Sequence, residues 1–124
     1  MSRTLTFLVV EDESIIALAI TMQIKRLGHC VGATVPSGEE ALAALEAVRP
    51  DLVLMDIHLS GEMDGIETAR RIRERGGPPV AYITAYTDQE TRAAALATTP
   101  LAFLPKPVGP PELMALARQV AELG

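Results

Sequence analysis

Leu52 to Met55 is an unbroken apolar run that ends abruptly in the carboxylate of Asp56. Pro50 stands before it, and a loop containing Ser60-Gly61 follows. A strand covered on one face alternates apolar and polar residues, whereas a short run apolar at every position reads as a strand buried on both faces. Asp56 is therefore expected at the carboxyl end of a central strand. Phe7 to Val10 runs in the same way into Glu11-Asp12, and Val80 to Ile83 into Thr84. In an open parallel sheet these ends share one rim, which is where such sheets bind ligands.

Between the runs the apolar period changes to that of helices. Ile15, Ile16, Leu18, Ala19, Met22, Ile24 and Leu27 predict a helical apolar face over about 14–27, stopped at Gly28, with Lys25 and Arg26 where positive charge suits the helix dipole. Ser37 with Glu40 and Thr87 with Glu90 form capping-box patterns. They open helices to about Val48, with Ala41, Leu42, Leu45 and Val48 on one face, and to about Ala97. A helix over about 64–75 stops before Gly76-Gly77-Pro78-Pro79. Pro110-Pro111, tolerated only in a first turn, opens a last helix to about Leu123. Strands are expected at 5–10, 30–35, 52–55, 80–83 and 101–104.

The order is strand–helix five times over, without linker, repeat or low-complexity tract. Such alternation means an α/β fold with a parallel sheet and helices on both faces. Five strands suit the flavodoxin-like doubly wound (βα)5 sandwich in order 2-1-3-4-5, whose switch point lies between strands one and three. Glu11 and Asp12 then face Asp56 across the expected crevice.

Bulk properties narrow the class. A chain of 124 residues suits one domain, taken as 1–124, whose core buries roughly two thirds of the unfolded surface. With 48% hydrophobic and 22% charged residues it is an ordinary folded chain, and aromatics at 3% leave the core to aliphatic residues and Met. A net charge of -5 argues against direct binding of nucleic acid. The single cysteine, Cys30, cannot form an internal disulfide, and no apolar run approaches the roughly 20 residues of a membrane span. The expectation is a soluble cytoplasmic domain without membrane attachment.

Three carboxylates in one crevice repel one another and raise one another's pKa unless a cation sits among them. No His or Cys accompanies Glu11, Asp12 and Asp56 in zinc-like spacing, so their hard oxygens favour a divalent ion such as Mg2+. Thr84 offers a hydroxyl and Lys106, bracketed by Pro105 and Pro107, a mobile point charge, both suited to phosphoryl oxygens. Asp56, ending the central strand, is the candidate nucleophile. Taken singly, each of these residues is more often a turn residue, a helix cap or a surface charge. Their joint occurrence at the ends of strands one, three, four and five reverses those odds.

The stretches Phe7-Leu-Val-Val-Glu-Asp-Glu13, Asp51-Leu-Val-Leu-Met-Asp-Ile57, Met63-Asp-Gly65, Tyr82-Ile-Thr-Ala85 and Phe103-Leu-Pro-Lys-Pro107 resemble the CheY-like response-regulator receiver domains of two-component signal transduction. The likeness spans essentially the whole chain, with the motifs in order and at the right spacing. It implies a phosphoprotein whose phosphoacceptor is Asp56, charged by a sensor histidine kinase or a histidine phosphotransfer protein in a phosphorelay. It implies Mg2+ (or Mn2+) held by Glu11, Asp12, Asp56 and the backbone carbonyl of His58. Thr84 becomes the switch hydroxyl and Lys106 the phosphoryl-binding lysine, joined to Pro107 by a cis peptide bond. Phe103 becomes the switch aromatic, and the response face is helix four, strand five and helix five, acting on an output domain or partner protein. Dimerisation through that face is left open. Such a domain is a signalling switch rather than an enzyme, catalysing only its own phosphoryl transfer and dephosphorylation.

The chain departs from the family pattern in places. Glu11 stands where many relatives have Asp, and its longer arm suits a water-mediated metal contact. The loop Leu59-Ser-Gly-Glu-Met-Asp-Gly65 is one residue longer than the common form, with Ser60 where Pro is frequent. Phe103 lacks the hydroxyl of a tyrosine, so its switching is expected to rest on packing alone. His58 and Tyr86 are expected to flank the entrance and shield an acyl phosphate from water, and His29 is expected on the surface. Leu113 and Leu116 read either as apolar residues of the response face or, on an amphipathic helix, as core. Two other classes use similar parts. A Mg-dependent aspartyl-phosphate phosphatase of the haloacid-dehalogenase type needs a second acid where this chain has His58. A non-phosphorylated binding module of the same fold is disfavoured by the full acidic set with Lys106, and a flavin carrier by the lack of a Ser/Thr/Gly-rich phosphate loop after strand one.

Overall fold

The computed structural model describes residues 3–85 and 87–123, so the expectation for Tyr86 lies outside the described residues. The elements are β1 (Thr6–Val10), α1 (Ser14–Arg26), β2 (Cys30–Val35), α2 (Gly38–Ala47), β3 (Leu52–Asp56), α3 (Gly65–Glu74), β4 (Val80–Thr84), α4 (Gln89–Leu96), β5 (Ala102–Pro105) and α5 (Pro110–Leu123). The strands form one parallel sheet in the order β2-β1-β3-β4-β5. Alternation and strand order match the sequence expectation, and boundaries move by one or two residues.

The apolar runs explain the layering. Successive strand residues point to opposite faces. Phe7, Val9, Leu52, Leu54, Ala81 and Ile83 therefore meet Ile20 and Ile24 of α1 and Leu113, Leu116 and Val120 of α5. Leu8, Val10, Val53, Met55 and Tyr82 meet Ala41 and Leu42 of α2, Ala69 and Ile72 of α3 and Ala95 of α4. Every residue of β3 is buried, which is why its sequence carries no alternation. Each such Leu or Val side chain contributes about 1.5–3 kcal/mol of burial. The amino end of the sheet is tied by Asp51, whose Oδ2 accepts from Thr6 N–H at 2.8 Å and whose own N–H reaches the Thr6 carbonyl at 2.7 Å.

Several sequence expectations are corrected. Helix α1 buries Ala17, Ile20 and Ile24, while Ile15, Leu18 and Met22 face solvent. Both stripes are apolar, so periodicity alone does not say which one the sheet covers. Leu113 and Leu116 belong to the core, the more frequent of their two readings, and the large apolar residues that α5 exposes are Met114 and Leu123. Helix α4 is capped by Asp88, which accepts from Thr91 N–H at 2.7 Å. Thr87 therefore lies before the helix, and Glu90 falls one position short of where it could complete a box. Ser37 does cap α2, accepting from Glu40 N–H at 3.1 Å. His29 is half-buried rather than on the surface. Its Nδ1 accepts from Leu5 N–H at 3.1 Å, and its ring lies 5.9 Å from that of Phe7.

After β3 the chain folds back on itself so closely that Gly65 N–H reaches the Ile57 carbonyl at 3.0 Å. A Cβ on Gly65 would lie 2.0 Å from the Asp56 carbonyl oxygen, inside any allowed contact. The glycine thus sets both the start of α3 and the path of the strand end that carries Asp56. Gly65→Ala is expected to lower stability by about 1–3 kcal/mol in urea denaturation, the range of an overpacked core. Parent-like stability would mean that the loop moves aside freely.

Candidate functional site

The parallel register brings four strand ends together. Val10, the last residue of β1, pairs with Met55, so Glu11 and Asp12 leave the sheet beside Asp56. Asp56 pairs with Ile83, and Thr84 with Pro105, which sets Lys106 just beyond the rim. One carboxylate oxygen from each of Glu11, Asp12 and Asp56 lies within 4.8 Å of the others. Glu11 and Asp56 are 2% and 3% exposed, and Asp12 is half-buried.

Two buried carboxylates side by side demand compensation, and Lys106 supplies it. Its Nζ lies 2.8 Å from Glu11 Oε1 and 3.2 Å from Asp56 Oδ2. Only the Asp56 contact has hydrogen-bonding direction. Glu11 Oε1 meets the ammonium off-axis and accepts no hydrogen bond among the described residues. Glu11 Oε2 accepts from Glu13 N–H at 3.1 Å, and Asp56 Oδ1 from His58 N–H at 3.0 Å. Burial tends to lower the Lys106 pKa, but the two carboxylates outweigh it and hold the ammonium above its ordinary value. Burial pushes the Glu11 carboxyl up to about 7, against the lowering effects of Lys106 and the Glu13 N–H and with help from Asp56.

Asp12 is held differently. Burial raises its pKa, but hydrogen bonds, led by those from the hydroxyl and N–H of Ser60, outweigh that and keep the carboxyl below its usual range. Ser60 Oγ donates to Asp12 Oδ2 at 2.8 Å and Ser60 N–H at 3.1 Å. Sequence reasoning singled out Ser60 only as a departure in a longer loop. Its partner is 48 residues away, a separation at which spacing carries no signal.

Thr84 is buried, and its carbonyl accepts from Lys106 N–H at 3.0 Å. The Lys106–Pro107 peptide is cis. The side chain of His58 is exposed. Phe103 is half-buried, paired in register with Tyr82, its ring centroid 5.5 Å from the Tyr82 ring. Since Thr84 is two residues past Tyr82, Thr84 and Phe103 project from the same face of the sheet. The expectation that Phe103 relies on packing alone is incomplete, because the Arg92 guanidinium lies 4.3 Å from its ring centroid. The Tyr82 hydroxyl meets Thr98 Oγ1 at 2.6 Å, fastening the segment just after α4 to β4.

A pH dependence follows from Glu11 in the metal-free protein. With its carboxyl at an ordinary 4.5 when unfolded and about 7 when folded, the folded state holds the extra proton between those values. Its contribution to stability is complete below about 4.5 and is lost as pH rises through about 7. In EDTA, stability from urea denaturation should therefore fall over that window for the parent relative to Glu11→Gln. Parallel curves for the two proteins would contradict the assigned environment.

The response regulator receiver domain family matches residues 7–118. The chain is 36% identical over 119 residues to the transcriptional regulatory protein AfsQ1 of Streptomyces coelicolor, covering 96% of this chain and 52% of that protein. It is 36% identical over 111 residues to the DNA-binding response regulator MtrA of Mycobacterium tuberculosis, covering 90% of this chain and 48% of that one. The crystal structure of the signal receiver domain of a modulated diguanylate cyclase from Desulfovibrio desulfuricans superposes with a TM-score of 0.92 at 33% identity, covering 98% of this chain and 96% of that one. The chain spans about half the length of these two curated relatives. A sheet of order 2-1-3-4-5, an acidic pocket at its carboxyl rim and this breadth of similarity lead to one assignment: the chain belongs to the response-regulator receiver domain family of two-component signalling.

Proposed function

We propose that Asp56 accepts a phosphoryl group from a histidine of a sensor kinase or of a histidine phosphotransfer protein. The observation that carries this reading is the meeting of Asp56 with Glu11, Asp12 and Lys106 at one rim. In the transfer, an Asp56 carboxylate oxygen bonds to phosphorus as the P–N bond of the phosphohistidine breaks and the imidazole leaves. Charge gathers on the equatorial phosphoryl oxygens during such a transfer. Lys106, already 3.2 Å from Asp56 Oδ2, neutralises part of it, and the Thr84 hydroxyl can donate to another oxygen.

The residues present fit a divalent cation. Glu11 Oε1 is buried with only the Lys106 ammonium against it, and the acidic group offers only oxygen donors, as Mg2+ and Mn2+ prefer. Glu11, Asp12, Asp56 and the His58 carbonyl would hold the ion. When bound, it would supply positive charge for the transferring phosphoryl group.

The phosphorylated state adds roughly two negative charges and new acceptor oxygens beside Thr84. Thr84 and Phe103 share a face, so a movement of the threonine toward the phosphoryl group opens space that Phe103 can follow into. The face made by α4, β5 and α5 is then the surface read by an output domain or partner. The -5 charge of residues 1–124, taken as one receiver domain, makes a protein partner rather than nucleic acid the direct target. The role is that of a cytoplasmic switch, not of an enzyme with a separate substrate, and exposed His58 stands at the mouth as a shield against water.

Intact mass after acetyl phosphate treatment tests the acceptor. A single Mg2+-dependent phosphoryl adduct is expected for the parent and none for Asp56→Asn; an adduct that survives in the variant would place the acceptor elsewhere. Phe103→Ala is expected to take up phosphoryl normally while its α4–β5–α5 amide exchange no longer responds. A parent-like response would remove Phe103 from the switch.

A further inference from the structure

Ser60 lies on the wall of the crevice opposite the turn that carries Asp12. It belongs to the loop between β3 and α3, yet both of its donors converge on one oxygen of Asp12, the hydroxyl at 2.8 Å and the N–H at 3.1 Å. The other two acids are fixed by burial and by close donors: Lys106 lies against both, Glu13 N–H bonds Glu11, and His58 N–H bonds Asp56. Asp12 is half-buried at the edge of a turn, where a short carboxylate has more than one rotamer open to it.

We propose that Ser60 is a positioning residue for the metal ion, holding Asp12 Oδ2 from across the crevice so that the carboxylate presents its remaining lone pairs to a divalent cation. This rests on the reading of Glu11, Asp12 and Asp56 as the metal pocket. A carboxylate has about four acceptor positions, two on each oxygen, so two bonds to Oδ2 leave Oδ1 for the ion or its waters. Groups that orient a ligand in this way are worth about 10–100-fold in metal affinity. Exposure of Ser60 to water puts its share at the lower end of that range. A proline at position 60 would offer Asp12 neither donor. The same contact joins the loop that carries His58 to the turn that carries Glu11 and Asp12, so the parts of the pocket are set relative to each other before any ion arrives.

The test is Mn2+ affinity, read from the electron paramagnetic resonance of free Mn2+, for the full chain as parent, Ser60→Ala, Ser60→Thr and Asp12→Asn. Urea denaturation in EDTA accompanies each titration. Ser60→Ala is expected to raise the Mn2+ Kd about tenfold with metal-free stability close to the parent, because the exposed hydroxyl contributes little to folding. Ser60→Thr keeps both donors and should restore the parent Kd. Binding by Ser60→Ala as tight as, or tighter than, the parent overturns the proposal, as does an equal loss in Ser60→Thr. If Asp12→Asn abolishes binding while Ser60→Ala does not weaken it, only the role of Ser60 falls. If the parent binds no Mn2+, or Asp12→Asn binds as the parent does, the metal pocket itself falls and takes the proposal with it.

Discussion

The site depends on the placement of one ammonium group against two buried carboxylates. Glu11 and Asp56 emerge from adjacent strands and are almost fully enclosed, and Lys106 reaches both from beyond β5. Removing charges from water is costly unless partners stand close, and one lysine cannot balance two acids completely. The imbalance appears in Glu11, whose carboxyl is pushed up to about 7 and whose Oε1 meets the lysine without a well-directed hydrogen bond. The rim is thus built with a deficit of positive charge, the condition in which a divalent cation is bound most favourably. Stability is given up locally so that charge can be received.

What makes that tolerable is the rest of the sheet. β3 is buried at every residue and β4 likewise, with α1 and α5 on one side and α2, α3 and α4 on the other. Strand ends anchored in such packing do not drift apart when like charges are set beside one another. The close return of the chain at Gly65 adds a second restraint, since the backbone there is in contact with the Asp56 carbonyl. Ser60 closes the third side by bonding Asp12 across the crevice.

Most of this was legible in the sequence because the informative signals are local. Apolar runs that end in Glu11, Asp56 and Thr84 mark strands and their rim at once, and the parallel βα order brings those ends together with no knowledge of contacts. The family motifs sharpened the same residues. What stayed hidden were contacts between side chains far apart in the chain: Ser60 with Asp12, Arg92 with Phe103, and His29 with Leu5 N–H. The apolar face of α1 misled for a related reason. Ile15, Leu18 and Met22 are as hydrophobic as the buried stripe, and only the position of the sheet decides between them. The cap of α4 was misassigned because Thr87 and Asp88 are both good caps, and the choice of one over the other lies in a single backbone turn.

The hidden contacts bear on how a charge at the rim can be felt elsewhere. Phe103 lies between Tyr82 of β4 and Arg92 of α4, and Tyr82 is in turn bonded to Thr98, two residues past the end of the same helix. Helix α4 is therefore held to the sheet near its middle, by Arg92 on the aromatic ring, and just past its carboxyl end, by Thr98. A cation over a partly exposed ring is worth about 0.5–1 kcal/mol, small enough to be given up when the space beside Thr84 changes. The Tyr82 and Thr98 hydroxyls are buried, so their bond is more costly to break. The two attachments differ in strength in the sense a switch requires. In the proposed switch the Arg92 contact is therefore the one that yields first, while the buried Tyr82–Thr98 bond keeps the segment after α4 on β4.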